Sequence, residues 1–205
     1  MSLPATSGTS SLQATAAMCM YCFDVLQKKF ETSESSIPDF DGVDPTVQCP
    51  LFVTLHTVEG HQKNLRGCIG TLSRTHLSTS LQSYTISSAF QDSRFKPLRH
   101  TELPMLELSV SLLIDYEVGE HFLDWEVGVH GVIVEFIVDR RRYNATYLPE
   151  VAKEQGWNQE EAIHSLIRKS GYRGEINQKL LSSISLTKYQ SSKYSVSYRE
   201  YVDCR

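Results

Sequence analysis

An α+β fold with antiparallel strand pairing is the expectation for this chain of 205 residues, and three features carry it. Residues 103–116 alternate strictly. Leu106, Leu108, Val110, Leu112 and Ile114 fall on one side, and Glu107, Ser109, Ser111 and Leu113 on the other, the period of a half-buried strand. Residues 51–58 and 65–73 are extended runs on either side of Gly60-His61, which reads as a hairpin. Residues 14–30 set Cys19, Phe23, Leu26 and Phe30 on one helical stripe, with Cys22 beside them. Short links between strands favour antiparallel neighbours over crossovers.

The remaining elements follow in order. Residues 33–49, with Pro38, Asp39, Asp41, Gly42, Asp44 and Pro45, read as a loop. Residues 75–90 read as a helix with Thr75 as N-cap and a stripe of Leu77, Leu81 and Tyr84. Pro97 stops the chain from continuing that helix. Strands are expected at residues 127–130, 132–138 and 143–148, with Gly131 as a bend and Arg140-Arg141-Arg142 at a solvated hairpin tip. Pro149 suits the first position of a helix. Asn158 and Glu161 form a capping-box pair for a second helix, which runs to about Lys169 and closes at Gly171. Residues 183–201 read as two final strands.

Composition narrows the function classes. An apolar share of 40% with 21% charged residues is that of an ordinary globular protein. A net charge of −4 offers no field for nucleic acid or an anionic membrane, and no run approaches the roughly 18 apolar residues of a membrane span. Residues 1–13 read as a mobile tail without the basic start and apolar segment of a signal peptide. Five cysteines, at 19, 22, 49, 68 and 204, follow no framework spacing. Free thiols in a reducing compartment, hence a cytoplasmic or nuclear protein, are expected. Cys19 and Cys22 have no second pair to complete a zinc site. No cofactor or metal is expected.

One hexapeptide concentrates the chemistry: Leu65-Arg66-Gly67-Cys68-Ile69-Gly70. In a strand, Leu65 and Ile69 would point into a core, while Arg66 and Cys68 share the other face. Gly67 and Gly70 allow close approach of a backbone or ligand. A cation beside a thiol favours the nucleophilic thiolate; equally, Cys68 fits a small buried residue and Arg66 an ion-pair partner. Around this centre the candidate lining is Asp92, Arg94 and Phe95 of the run after the second helix, and Ser109 and Ser111 on the polar side of the alternating strand. Gly131 also belongs to it, with His130 re-aimed beside it. His56 is a further candidate neighbour. As an enzyme, the chain would use Cys68 as nucleophile and His130 or Glu107 as the acid–base group.

The hexapeptide, Asp92-Ser93-Arg94-Phe95, the run from Asp124 to Gly131 and the run from Thr146 to Trp157 together resemble the AMMECR domain family, from about Met18 to the end and in that family's order. The resemblance implies a single domain over residues 14–205. It would have two lobes, a larger antiparallel sheet flanked by helices and a smaller β-containing one, with the motif cleft where they meet. It implies no settled reaction. A binding or adaptor module that takes a protein partner, or a small molecule, in that cleft is therefore the first expectation. A Cys68 enzyme is the alternative, and nucleic-acid binding is disfavoured by the charge.

Overall fold

In the computed structural model, residues 12–31 and 40–205 are described. The expected tail, apart from residues 12 and 13, and part of the loop before the first strand lie outside them. The first helix, α1 (Ala16–Phe30), starts at Thr15, whose hydroxyl accepts the Met18 N–H, and ends with Lys28 and Lys29 in its last turn. It buries Cys19, Cys22, Phe23 and Leu26. That is the predicted stripe except for Phe30, which is half-buried, and desolvation pushes the Cys19 thiol up to about 12.

Strands β1 (Gln48–Glu59) and β2 (Gln62–His76) pair antiparallel around the Gly60 turn, where φ is 59°. Helix α2 (Leu77–Phe90) follows directly. Its N-cap is His76 and not Thr75, because β2 runs on to His76 and leaves no space for an earlier start. Residues 100–105 then form a 3₁₀ turn, in which Glu102 reaches back to the Arg99 N–H at 2.9 Å. Consequently β3 (Leu106–Val118) begins three residues later than the alternation suggested. Pro104 sits inside that turn, where its missing N–H costs nothing a strand would need.

Residues 127–130 are not a strand. Gly128 takes φ 83°, and the N–H groups of Val129 and His130 both donate to the Glu126 carbonyl, closing a tight turn. Strands β4 (Gly131–Val138) and β5 (Arg141–Tyr147) then pair around Asp139 and Arg140, both at positive φ. That is the geometry of a two-residue hairpin turn matched to strand twist. Helix α3 (Pro149–Glu154) has Pro149 in its first turn. Helix α4 (Gln159–Lys169) has both capping-box bonds of Asn158 and Glu161, each 2.9 Å, as anticipated. After α5 (Gln178–Ser182), one strand, β6 (Ser185–Ser197), gives way to a short helix, α6 (Tyr198–Asp203). The expected second strand is helical because Ser197 and Glu200 form another capping box, a signal present in the sequence.

The six strands form one antiparallel sheet in the order β2-β1-β3-β6-β4-β5. Two compact units divide the chain. The first comprises residues 1–112 and 192–205, and the second residues 113–191. In the first, α1 and α2 cover one sheet face, burying Phe23, Leu26, Leu51, Val53, Leu55 and Leu81. In the second, α4 packs Ile163, Leu166 and Ile167 against Val132, Val134 and Phe136. No described helix is long and apolar enough to cross a membrane.

Tyr189 organises the second unit from within. Fully buried, it stacks on Tyr116 at 5.2 Å and donates its hydroxyl to the Tyr147 carbonyl at 3.1 Å, also lying 3.1 Å from Thr146 Oγ1. Tyr189→Phe leaves that carbonyl short of a donor and is expected to cost about 1–2 kcal/mol, read from the urea midpoint.

Candidate functional site

The hexapeptide lies on β2, at one edge of the sheet. Its register is broken once: Leu55 faces Gly67 and His56 faces Leu65, so Arg66 is the extra residue of a bulge. Ile69 pairs with the buried Val53 but is itself only half-buried. Leu65 does not enter the core. Across the bulge it moves to the side of His56 and is 40% exposed.

The two glycines answer to backbone. A Cβ on Gly67 would stand 2.1 Å from the Ser88 carbonyl oxygen of α2, and one on Gly70 would stand 2.2 Å from the Leu51 carbonyl oxygen. Where α2 approaches, Ser88 bridges β2 to β1, while Asp92 and Arg94 take the place of the missing neighbour strand. Ser88 Oγ accepts the Ile69 N–H at 2.9 Å and donates to the Val53 carbonyl at 2.7 Å. Asp92 Oδ2 accepts the Cys68 N–H at 2.9 Å, and Arg94 Nη2 donates to the Cys68 carbonyl at 3.1 Å. Arg94 is itself held by Asp92 through Nε at 2.9 Å and Nη2 at 2.7 Å. The Arg94 guanidinium, aided by these N–H donors, holds the buried Asp92 carboxyl well below the usual carboxylate range.

Arg66 leaves the bulge toward the 3₁₀ turn. Its Nε and Nη2 donate to the two oxygens of Glu102 at 2.8 and 3.2 Å, with the paired side chains 12% and 11% exposed. The Arg66 hydrogen bonds bring the Glu102 carboxyl down to about 2. Arg66 Nη1 is buried without a partner among the described residues. The Phe95 ring lies 6.0 Å from the Arg66 guanidinium and 5.4 Å from that of Arg94, within cation–π range.

On the sheet face away from α2, the half-buried Cys68 has its Sγ 3.2 Å from Thr54 Oγ1. Thr54 pairs with Ser109, whose Oγ lies 2.8 Å from Ser195 Oγ. Thiol and hydroxyls thus form one row across β2, β1, β3 and β6. Glu107 pairs with His56 and forms an ion pair with Lys63. Desolvation, then Lys63 and Lys193, lowers the His56 pKa and favours the neutral ring. Ser111 is buried opposite Phe52.

The first unit therefore holds Arg66, Gly67, Cys68, Gly70, Asp92, Arg94, Phe95, Glu107, Ser109 and Ser111. His130 and Gly131 belong to the second, and their described partners lie within it: His130 Nδ1 accepts the Glu126 N–H at 3.1 Å, and a Cβ on Gly131 would meet the Tyr189 ring at 2.4 Å. Sequence reasoning missed Thr54, Ser88 and Glu102. Only Glu102 left a trace, as an acid three residues after Arg99, where a helical turn can be capped. Among the described residues, no group of three or more His, Cys, Asp and Glu side chains is placed to hold a metal ion.

These features define an α+β protein built on an antiparallel sheet, with a Gly-Cys-Ile-Gly edge clamped by side chains. The chain belongs to the AMMECR1 family, whose profile matches residues 19–194. It is 44% identical over 194 residues to an uncharacterized protein of Arabidopsis thaliana, covering 93% of this chain and 89% of that one. It is 42% identical over 185 residues to an uncharacterized protein of Schizosaccharomyces pombe, covering 90% and 93%. The crystal structure of an uncharacterized protein from Pyrococcus horikoshii is similar at a TM-score of 0.71 and 26% identity, covering 89% of this chain and 91% of that one.

Gly67→Ala forces α2 off β2 and should cost about 1–3 kcal/mol or more, measured by chemical denaturation. Arg66→Ala should cost toward the lower end of about 3–5 kcal/mol at neutral pH, because it leaves the buried Glu102 carboxylate only its Arg99 contacts. Glu102 carries a depressed pKa, so its contribution is complete above its ordinary value of 4.5 and is lost as pH falls toward about 2. Glu102→Gln should accordingly show a shallower fall of the urea midpoint over that window than the parent chain.

Proposed function

We propose that this chain is a binding or adaptor module whose recognition surface surrounds residues 65–70, with a protein as partner. The observation that carries this reading is how the motif spends its charged groups. The fork of Arg66 is committed to Glu102, and Asp92 with Arg94 brackets the peptide of Cys68. Both pairs stiffen an edge strand. Neither is a set of groups left ready to exchange protons with a substrate. Stiffness of this kind suits recognition, since little ordering remains to be done on binding. Outward the motif offers Leu65, the ring of Phe95 and Arg94, whose side chain is 53% exposed. Apolar, aromatic and arginine groups are the types enriched at interfaces. A cytoplasmic or nuclear location fits the cysteine content and charge of the chain.

A second reading, an enzyme with Cys68 as nucleophile, draws on the half-buried thiol and its Thr54 neighbour. His56, paired with Glu107 on the same sheet face, is a further candidate for the acid–base group in that case. Quantitative affinity capture separates the two. The module reading expects Leu65→Asp and Arg94→Glu each to strip a bound protein that Cys68→Ser retains. Retention by both surface variants, with a covalent adduct on Cys68 seen by intact mass and absent in Cys68→Ser, would favour the enzyme.

A further inference from the structure

A second surface of the first unit lies where α1 meets α6. Two adjoining grooves of about 400 and 390 Å³ share Tyr21, Asp24 and Arg205 as lining. The Arg205 side chain is their common partition: it donates to Asp24 Oδ1 and lies 5.4 Å over the Tyr201 ring. Tyr201 donates its hydroxyl to the same Oδ1 at 2.7 Å, so the carboxylate is held in place from below. Phe40 closes one end with its ring 5.4 Å from Tyr21. Glu31 adds negative charge to one groove and Asp41 to the other, against Lys28 and Arg205 as the lining cations.

Arg205 is not what fastens α6. That helix is anchored by Tyr201, whose ring packs 5.1 Å from Phe23, and by the 2.5 Å bond from Gln27 Nε2 to Tyr198 Oη. The ion pair of Arg205 with Asp24 is exposed, 56% on the arginine side, and pairs of that kind add little net stability. A carboxylate fixed by a tyrosine hydroxyl, an aromatic floor and flanking acids make a seat for a guanidinium. Among the described contacts both donors use Oδ1, which leaves Asp24 Oδ2 for the second arm of an incoming arginine.

We propose that this trough docks an arginine-bearing segment of a partner protein, and that Arg205 is its built-in occupant, swinging out when the partner arginine takes its place on Asp24 and Tyr201. The site is separate from the hexapeptide surface and does not depend on the function assigned there. An internal occupant lowers apparent affinity by the fraction of time the seat is open, so removing it should tighten binding by about tenfold.

The test uses the full chain and a fluorescein-labelled, end-blocked Gly-Arg-Gly-Arg-Gly peptide, followed by anisotropy at physiological salt. Arg205→Ala should keep the parent melting temperature and bind about tenfold more tightly. Adding Asp24→Asn should return binding to the parent level or below, and the same peptide with citrulline for arginine should bind neither protein. Equal affinity of parent and Arg205→Ala overturns the proposal. So does equal binding of the citrulline peptide. Self-association of Arg205→Ala in sedimentation velocity without peptide binding would make a second copy the occupant and likewise overturn it. If Asp24→Asn fails to fold, the first comparison and the citrulline control still decide.

Discussion

The close approach of α2 to β2 is the constraint on which the first unit depends. Gly67 admits the Ser88 carbonyl where any side chain would collide, and that contact sets the end of α2 beside the strand. The chain emerging from α2 then delivers Asp92 to the N–H and Arg94 to the carbonyl of Cys68. With its N–H and carbonyl satisfied there, the edge can bulge at Arg66 and send that side chain to the 3₁₀ turn ahead of β3. Each step needs the preceding one, so a hexapeptide specifies the placement of four elements.

This arrangement also solves a problem common to sheet edges, which expose unpaired backbone groups to other strands. On β2 the outward N–H and carbonyl of Cys68 are occupied by the side chains of Asp92 and Arg94. On β5, the opposite edge, Arg141 and Arg142 stand exposed and Lys169 Nζ donates to the Thr146 carbonyl at 2.9 Å. The arginine run therefore has a sufficient role in keeping an edge strand solvated. Only Arg140 of the run lies in the turn expected to hold all three arginines; Arg141 and Arg142 open β5, paired with Val138 and Ile137.

The electrostatics of the motif favour holding over reacting. Two carboxylates are kept ionised by arginine partners, and the energy of those pairs goes into fixing backbone that would otherwise be strained or free. The architecture is one six-stranded sheet with helices. The functional reading rests on what that architecture leaves outward.

The sequence by itself determined what acts over a few residues. The period of residues 106–112, the Gly60 turn, the α1 stripe, the Asn158–Glu161 box and the family signature were all legible, because strand alternation, turn dihedrals and caps are local. The Ser197–Glu200 box is equally local and equally legible. Only the tertiary structure decided the partners of the motif. Glu102 lies 36 positions from Arg66, and Asp92 lies 24 from Cys68; no periodicity relates residues so far apart. The bulge that turned Leu65 outward arose from a register break between strands, a property of the pair that neither strand encodes alone. Likewise Gly67 could be read as a place of close approach, but that the approaching atom is the carbonyl of Ser88 follows from how a helix packs on a strand.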